Sequence, residues 1–161
     1  MITQNIDGLH QRAGSSPELI VELHGNAHFV HCLVCSVRYD RAAVHRRVEA
    51  GQADPGCERC GGQLKPTTIS FGEPLPKQAI QRAERASRDC DLFLVVGSSL
   101  VVYPAAGLPQ LALRAGAPLA IVNASETHLD PYAAVRLDAQ AGQVLSELLD
   151  RLRPRLVNRS T

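Results

Sequence analysis

Apolar residues fall along this chain in short blocks near the start and in longer, evenly spaced blocks after residue 75. Ile2 and Ile6 bracket a short extended run that Asn5 and Asp7 close. Leu19–Leu23 and Ala27–Cys32 predict two short strands. From Asp40 to Ala50 the pattern predicts an exposed helix, with Ala42, Ala43, Val44 and Val48 on one side and Arg41, Arg46, Arg47 and Glu49 on the other. Ile69–Glu73 predicts another short strand, and Pro74 and Pro76 punctuate the loop after it. Lys77–Arg88 predicts a helix with Ala79, Ile80, Ala83 and Ala86 free to pack. Asp91 to Ser99 holds a continuous apolar run, Leu92–Val96, followed by a small-residue turn, the pattern of a strand covered on both faces. A helix over Pro104–Ala115, a strand over Leu119–Asn123, a short strand over Ala134–Leu137 and a helix over Gln140–Leu152 complete the chain. Arg153–Thr161 reads as a polar tail.

Strand, helix, strand, helix after residue 90 predicts an α/β fold with a Rossmann-like parallel sheet. Ligands of such sheets bind at the carboxyl ends of the strands. Asn5, Asp7, Ser98, Ser99 and Asn123 all fall at predicted carboxyl ends, which points to one shared dinucleotide crevice. Gly97-Ser98-Ser99 is a small-residue turn that lets backbone approach a phosphate or ribose. Each residue also has a plainer use: Asn5 and Asp7 as turn formers, Ser98 and Ser99 as a helix cap.

Cysteine changes the picture of the first half. Cys32-x2-Cys35 and Cys57-x2-Cys60 are separated by twenty-one residues. Two such turns facing each other supply four thiolates to a tetrahedral zinc, and a shell closed by four sulfurs is structural. A redox pair or buried thiols are the alternatives, and two matched pairs argue against both. Bound zinc would contribute on the order of 10 kcal/mol to ordering so small a module. Cys90 is unpaired and reads as a small buried hydrophobe.

At 161 residues the chain predicts one domain with a small inserted module. A net charge of +1 gives no case for nucleic acid or membrane as partner. Arginine outnumbers lysine fifteen to two, which we read as base-composition bias. No apolar run reaches the roughly 18 residues of a membrane span, and the first residues do not read as a signal peptide. A cytoplasmic protein is expected.

His24 follows the apolar Leu19-Ile20-Val21 and precedes Gly25, so a strand presents it at its end. Histidine there serves as a general base or as a satisfied structural residue. The surrounding strings decide between them. Thr3-Gln4-Asn5-Ile6-Asp7, Leu9-His10, Ala13-Gly14 and Glu22-Leu23-His24-Gly25 resemble the core motifs of the sirtuins, the NAD-dependent protein lysine deacylases. Phe71-Gly72-Glu73, Gly97-Ser98-Ser99-Leu100 and Pro104-Ala105-Ala106 continue the resemblance in the family's order. It covers roughly Ile2 to Leu149.

The resemblance implies NAD held between a Rossmann-like domain and a smaller zinc-bearing lobe, with an acyl-lysine of a protein or peptide as substrate. The acyl oxygen attacks the nicotinamide ribose, nicotinamide leaves, and the products are an O-acyl-ADP-ribose and free lysine. It implies that His24 is the general base on the ribose hydroxyl. Gln4, Asn5, Ile6 and Asp7 would organise the nicotinamide end, and Gly97, Ser98 and Ser99 the ribose and phosphates. Asn123, Ala124 and Ser125 would meet the adenosine ribose, and Ala141 would border the adenine. Phe71 would line the channel for the lysine stem, where core packing is the plainer use of a phenylalanine. Backbone at Gly72-Glu73 and at Leu100, Val101 and Val102 would pair with the substrate peptide as an added strand.

The family also carries a Gly-Ala-Gly-x-Ser loop and an Ile-Pro-Asp-Phe-Arg segment that these 161 residues do not contain. We therefore expect an N-terminally incomplete chain whose sheet lacks its first, glycine-loop strand and exposes an apolar edge. The expected organisation is 1–26 and 66–152 as a partial NAD-binding domain, 27–65 as the zinc module and 153–161 as tail. Weak or absent turnover is expected with it. Two other readings compete: a non-catalytic, zinc-stabilised peptide-binding remnant, and a zinc-ribbon nucleic-acid binder. Near-neutral charge argues against the latter.

Overall fold

The computed structural model describes residues 1–157. The chain forms two compact units, one from Met1 to Arg82 and a second beginning at Ala83.

In the first unit, β1 (Ile2–Thr3), α1 (Leu9–Arg12) and β2 (Val21–Glu22) come in order, and β1 and β2 pair in parallel with Ile2 opposite Val21. The strand expected over Leu19–Leu23 is shorter than that. Pro17 starts a 3-10 turn over Pro17–Leu19, and extended pairing begins only at Val21. Leu23 is fully buried beyond it. Next come β3 (Phe29–Cys32), β4 (Arg38–Asp40), α2 (Arg41–Glu49) and β5 (Leu64–Pro66). The three strands form an antiparallel sheet in the order β4-β3-β5. Asp40 caps α2, its carboxylate accepting from the Ala42 and Ala43 amides at 2.8 and 3.2 Å. The sides of α2 differ from the pattern's expectation: Ala42 and Val48 are exposed, while Arg47 is half-buried.

No strand forms over Ile69–Glu73. Turn chemistry overrides the apolar pattern there: the Glu73 amide bonds the Ser70 carbonyl, and the Glu73 carboxylate accepts from the Ser70 amide and from Lys65. Then α3 (Lys77–Arg88) runs across the division at Arg82, burying Ala83 and Ser87. Ser87, not Ala86, takes the inner position, because its hydroxyl is satisfied by the Ala83 carbonyl at 2.8 Å.

The second unit is the expected parallel sheet. It consists of β6 (Phe93–Val96), α4 (Leu108–Arg114), β7 (Leu119–Val122), β8 (Val135–Leu137) and α5 (Ala141–Val157). Strand order is β6-β7-β8, all parallel, with Phe93 opposite Leu119 and Ala120 opposite Val135. Its core is Val95, Leu100, Ala106, Leu119, Ile121 and Leu129. Each fully buried leucine or isoleucine there contributes roughly 2 kcal/mol. The Pro104–Ala115 segment divides into a 3-10 turn, Ala105–Gly107, and α4 proper. β6 is an edge of this sheet, and Leu94 and Val96 are exposed on it. Helix α5 extends to Val157, so the tail expected from residue 153 is helical at its start, and residues 158–161 lie outside the described range. Among the described residues no helix is long and apolar enough to cross a membrane.

Candidate functional site

Four sulfurs converge in the first unit. The ligand atoms of Cys32, Cys35, Cys57 and Cys60 all lie within 4.8 Å of one another. Cys32 Sγ is 3.5 Å from Cys60 Sγ, and Cys35 Sγ is 3.5 Å from Cys57 Sγ. A tetrahedron with zinc–sulfur bonds near 2.3 Å has edges of about 3.8 Å, so the donor set fits one zinc ion. The loop between the first two cysteines turns inward, and the amides of Val34 and Cys35 both donate to Cys32 Sγ at 3.4 Å. Leu33 N–H bonds the Gln63 carbonyl, tying the first knuckle to the chain just past the second, and Cys57 N–H bonds the Gly62 carbonyl, closing the second knuckle on itself.

The sulfurs are electrostatically unequal. The Tyr39 hydroxyl, 3.1 Å from Cys57 Sγ, donates to it and lowers the Cys57 thiol to about 6. The same bond raises the Tyr39 phenol. Cys32 is lowered, first by the Cys35 amide. At Cys60 the Gly62 amide pulls downward, but the Cys32 and Cys35 sulfurs and burial outweigh it, and the thiol is pushed up to about 12. Four thiolates at this spacing need a cation between them, which a divalent metal supplies.

His24 stands just past β2 and is half-buried. Its Nδ1 lies 3.1 Å from the Gln4 carbonyl, which can only accept, so Nδ1 carries the proton and Nε2 holds the free lone pair. Parallel pairing of β1 and β2 brings these two residues together, with Leu23 N–H bonding the Thr3 carbonyl at 3.0 Å. Gly25 follows with φ +75°. A Cβ there would stand 2.0 Å from the Thr67 carbonyl oxygen, so only glycine lets this turn close against residues 67–69. The Ile69 amide then bonds the His24 carbonyl.

Asn5, Ile6 and Asp7 are exposed beside this histidine turn and Gln4 is half-buried. Each is held from below. Asn5 N–H bonds Thr3 Oγ1, the Ile6 carbonyl accepts from Ala27, and the Asp7 carbonyl accepts from His28 Nε2 at 2.7 Å. Asp7 Oδ1 also accepts from the Leu9 amide, so its turn-forming use is realised as well. Phe71 is 98% exposed, which rules out core packing. Gly72 and Glu73 share its exposed turn.

In the second unit, Gly97, Ser98 and Ser99 leave the carboxyl end of β6, and Asn123, Ala124 and Ser125 leave that of β7, the next strand. Gly97 N–H bonds the Val122 carbonyl at 2.9 Å, so the two turns start side by side. Ser98 does not cap a helix: Leu100 N–H donates to its hydroxyl oxygen at 3.3 Å, and the next helical turn starts only at Ala105. Asn123 is buried, and Ala124 and Ser125 are exposed. Ala141 is the first residue of α5 and half-buried. Of the three peptide contacts expected in this unit, Val101 and Val102 are exposed, whereas the Leu100 side chain belongs to the core. The nicotinamide-side set and this set therefore lie in different units.

The sequence model of the Sir2 family matches residues 1–104. The chain belongs to the Sir2 family. It is 45% identical over 154 residues to NAD-dependent protein deacylase 2 of Archaeoglobus fulgidus, covering 95% of this chain and 60% of that protein. It is 46% identical over 145 residues to NAD-dependent protein deacetylase 1 of Bradyrhizobium diazoefficiens, covering 90% and 57%. Among solved structures, a Sir2 with a p53 peptide and NAD+ superimposes with a TM-score of 0.86 at 39% identity, covering 93% of this chain and 61% of the other. Sir2Tm bound to a propionylated peptide matches with the same TM-score and identity, covering 93% and 62%. The chain thus spans about three-fifths of the length of the relatives it matches.

Several supporting residues of this Sir2 chain escape the sequence. Tyr39 is four positions past Cys35, a spacing that says nothing about a bond to Cys57. Arg47 reads as a solvent-facing charge, yet it donates to Gln52 Oε1 and to the Gly56 carbonyl, clamping the approach to the second knuckle. Glu22 gathers Gln11 and Asn26 on one carboxylate oxygen, at 2.9 and 2.7 Å, beneath the histidine turn. Their partners are set by how the turns and loops of this unit fold back, which no periodic pattern encodes.

Proposed function

We propose that this chain carries the NAD-dependent removal of acyl groups, acetyl foremost, from lysine side chains of proteins. Nicotinamide and an O-acyl-ADP-ribose are the products. The observation that carries the proposal is the 3.1 Å approach of His24 Nδ1 to the Gln4 carbonyl, a contact that the Nδ1–H tautomer satisfies and that leaves Nε2 as the base. NAD supplies an electrophilic ribose carbon and nicotinamide as leaving group. His24 takes the proton from a ribose hydroxyl. Gln4, Asn5, Ile6 and Asp7 hold the nicotinamide end. Gly97, Ser98 and Ser99 hold the ribose and phosphates, Asn123, Ala124 and Ser125 the adenosine ribose, and Ala141 the adenine. Phe71, Gly72, Glu73, Leu100, Val101 and Val102 supply contacts to the acyl-lysine peptide, Leu100 through its backbone alone. Support comes from the relatives, named NAD-dependent deacylases and deacetylases, and from the Sir2 structures that hold NAD+ or acylated peptide.

Cys32, Cys35, Cys57 and Cys60 hold one structural zinc in this reading. The domain layout is 1–26 with 66–152 around a module of 27–65. Four free thiols committed to a metal suit a reducing, cytoplasmic setting. The 161 residues contain no Gly-Ala-Gly-x-Ser segment, so this chain tested alone is expected to bind NAD weakly and turn over slowly.

The test is nicotinamide release from NAD in the presence of an acetyl-lysine peptide. Release that depends on the peptide and disappears in His24→Ala supports the proposal. Peptide binding with no NAD-dependent chemistry under any condition supports the non-catalytic remnant instead. Micromolar NAD affinity of the chain alone would overturn the weak-binding expectation.

A further inference from the structure

Arg136 occupies the middle of β8, where alternation turns its neighbours outward: Val135 and Leu137 are both exposed. The inward place that results would ordinarily take an apolar residue. Here it holds a guanidinium with three directed bonds. Nη1 donates to the Asn123 carbonyl at 2.8 Å, Nη2 to the Ser125 carbonyl at 2.9 Å, and Nε to Asp130 Oδ2 at 2.9 Å. Thr127 Oγ1 donates to the other oxygen of Asp130 at 2.5 Å, and Asn123 Nδ2 donates to the Ser125 carbonyl at 2.9 Å. The Asn123 and Ser125 carbonyls belong to the loop that leaves β7, and Asp130 opens the 3-10 turn, Asp130–Tyr132, that follows it.

The consequence follows from peptide geometry. In a trans peptide the C=O of one residue and the N–H of the next point in opposite directions. Drawing the Asn123 and Ser125 carbonyls onto the guanidinium therefore turns the amides of Ala124 and Glu126 away from it. Both residues are exposed. Two backbone donors, two residues apart, thus face away from the guanidinium, where they can donate to hydroxyl or phosphate oxygens.

We infer that Arg136, held by Asp130, is a positioning residue that sets the Asn123–Ser125 loop for the sugar of a bound nucleotide. The inference rests on the proposed NAD reading of this loop. Lysine cannot replace it, because one ammonium cannot reach three acceptors in a plane.

The test is an NMR titration of the 161-residue chain with NAD, followed at the Ala124 and Glu126 amides, for wild type and Arg136→Lys. Expected are shifts at both amides in wild type, an affinity roughly tenfold weaker in the variant, and faster hydrogen exchange confined to residues 123–130. Zinc content is expected to stay the same. A folded Arg136→Lys chain that binds NAD as tightly as wild type overturns the inference and leaves the NAD reading intact. Wild type that shows no shift at these amides up to millimolar NAD overturns both. Should Arg136→Lys fail to fold, Asp130→Asn carries the test: NAD affinity several-fold weaker supports the inference, unchanged affinity sinks it.

Discussion

The imidazole of His24 and the carbonyl of Gln4 are joined by a 3.1 Å hydrogen bond through Nδ1, across the parallel pair β1 and β2. Twenty residues of chain separate them, and the pairing removes that distance. The bond fixes which ring nitrogen can act as a base. A main-chain acceptor does this without a second side chain, so the orientation survives any substitution at position 4 that keeps the backbone in place. We expect Gln4→Ala to leave the tautomer of His24 unchanged, as read by 15N imidazole shifts. His24→Ala is expected to lower peptide-dependent nicotinamide release by about 10²- to 10⁴-fold, the range for a lost general base. Equal release by His24→Ala and wild type would remove His24 from the chemistry.

The cysteine cluster predicts one zinc per chain, measured by elemental analysis of protein purified under reducing conditions. Zinc binding displaces protons from the thiols, so retention weakens as pH falls. With Cys57 brought to about 6 by Tyr39, its share of that loss comes at acidic rather than neutral pH. Tyr39→Phe removes the hydroxyl next to Cys57 Sγ and is expected to weaken zinc affinity by about tenfold, the usual size of an outer hydrogen bond to a ligand. Competition with a chromogenic chelator reads this directly. Identical competition curves for Tyr39→Phe and wild type would show that the hydroxyl does nothing for the metal.

Gly25→Ala and Gly51→Ala separate a clash from a strained dihedral. Both glycines have positive φ, +75° and +98°. A Cβ at Gly51 meets nothing within 4 Å, whereas one at Gly25 meets the Thr67 carbonyl at 2.0 Å. Gly51→Ala should cost about 1–2 kcal/mol, the left-handed penalty alone. Gly25→Ala should cost roughly 4 kcal/mol or leave the first unit unfolded. Urea midpoints of the two variants check the ordering, and a Gly25→Ala chain as stable as Gly51→Ala would contradict the packing described.

Asp130 makes a prediction about acid. The Thr127 hydroxyl and then Arg136 hold its carboxyl below the ordinary 3.8. A carboxylate whose folded value is depressed stabilises the fold fully above its unfolded value, and that contribution is lost as pH falls through the folded value. Wild type should therefore lose stability below about pH 3.8 more steeply than Asp130→Asn, which has no charge to lose there. Thermal melts between pH 5 and 2.5 give the two slopes, and parallel curves would refute the assignment.

Much of the second unit was legible as text. Its apolar runs before residues 97 and 123 predict strands of a parallel sheet, and both form; the second is buried, whereas β6 lies at the sheet edge and exposes Leu94 and Val96. The first unit was harder to read. Its strands are two to four residues long, so periodicity has nothing to count, and α1, β4 and β5 left no pattern to find. At Ile69–Glu73 an apolar start was overruled by a turn that Glu73 closes with its own side chain.

What the amino-acid order settled by itself is chemical: which residues can bind a metal or move a proton, and at what intervals they recur. Four thiols in two matched pairs and a histidine between a strand and a glycine are statements about reactivity, and reactivity travels with residue type. The tertiary structure alone decided direction. It chose Nε2 over Nδ1 on His24, put the Leu100 side chain in the core while exposing Val101, and aimed Tyr39 at Cys57 and Arg136 at the β7 loop. Direction depends on where distant backbone lands once strands pair, and that is a property of the whole packed chain, not of any stretch of it.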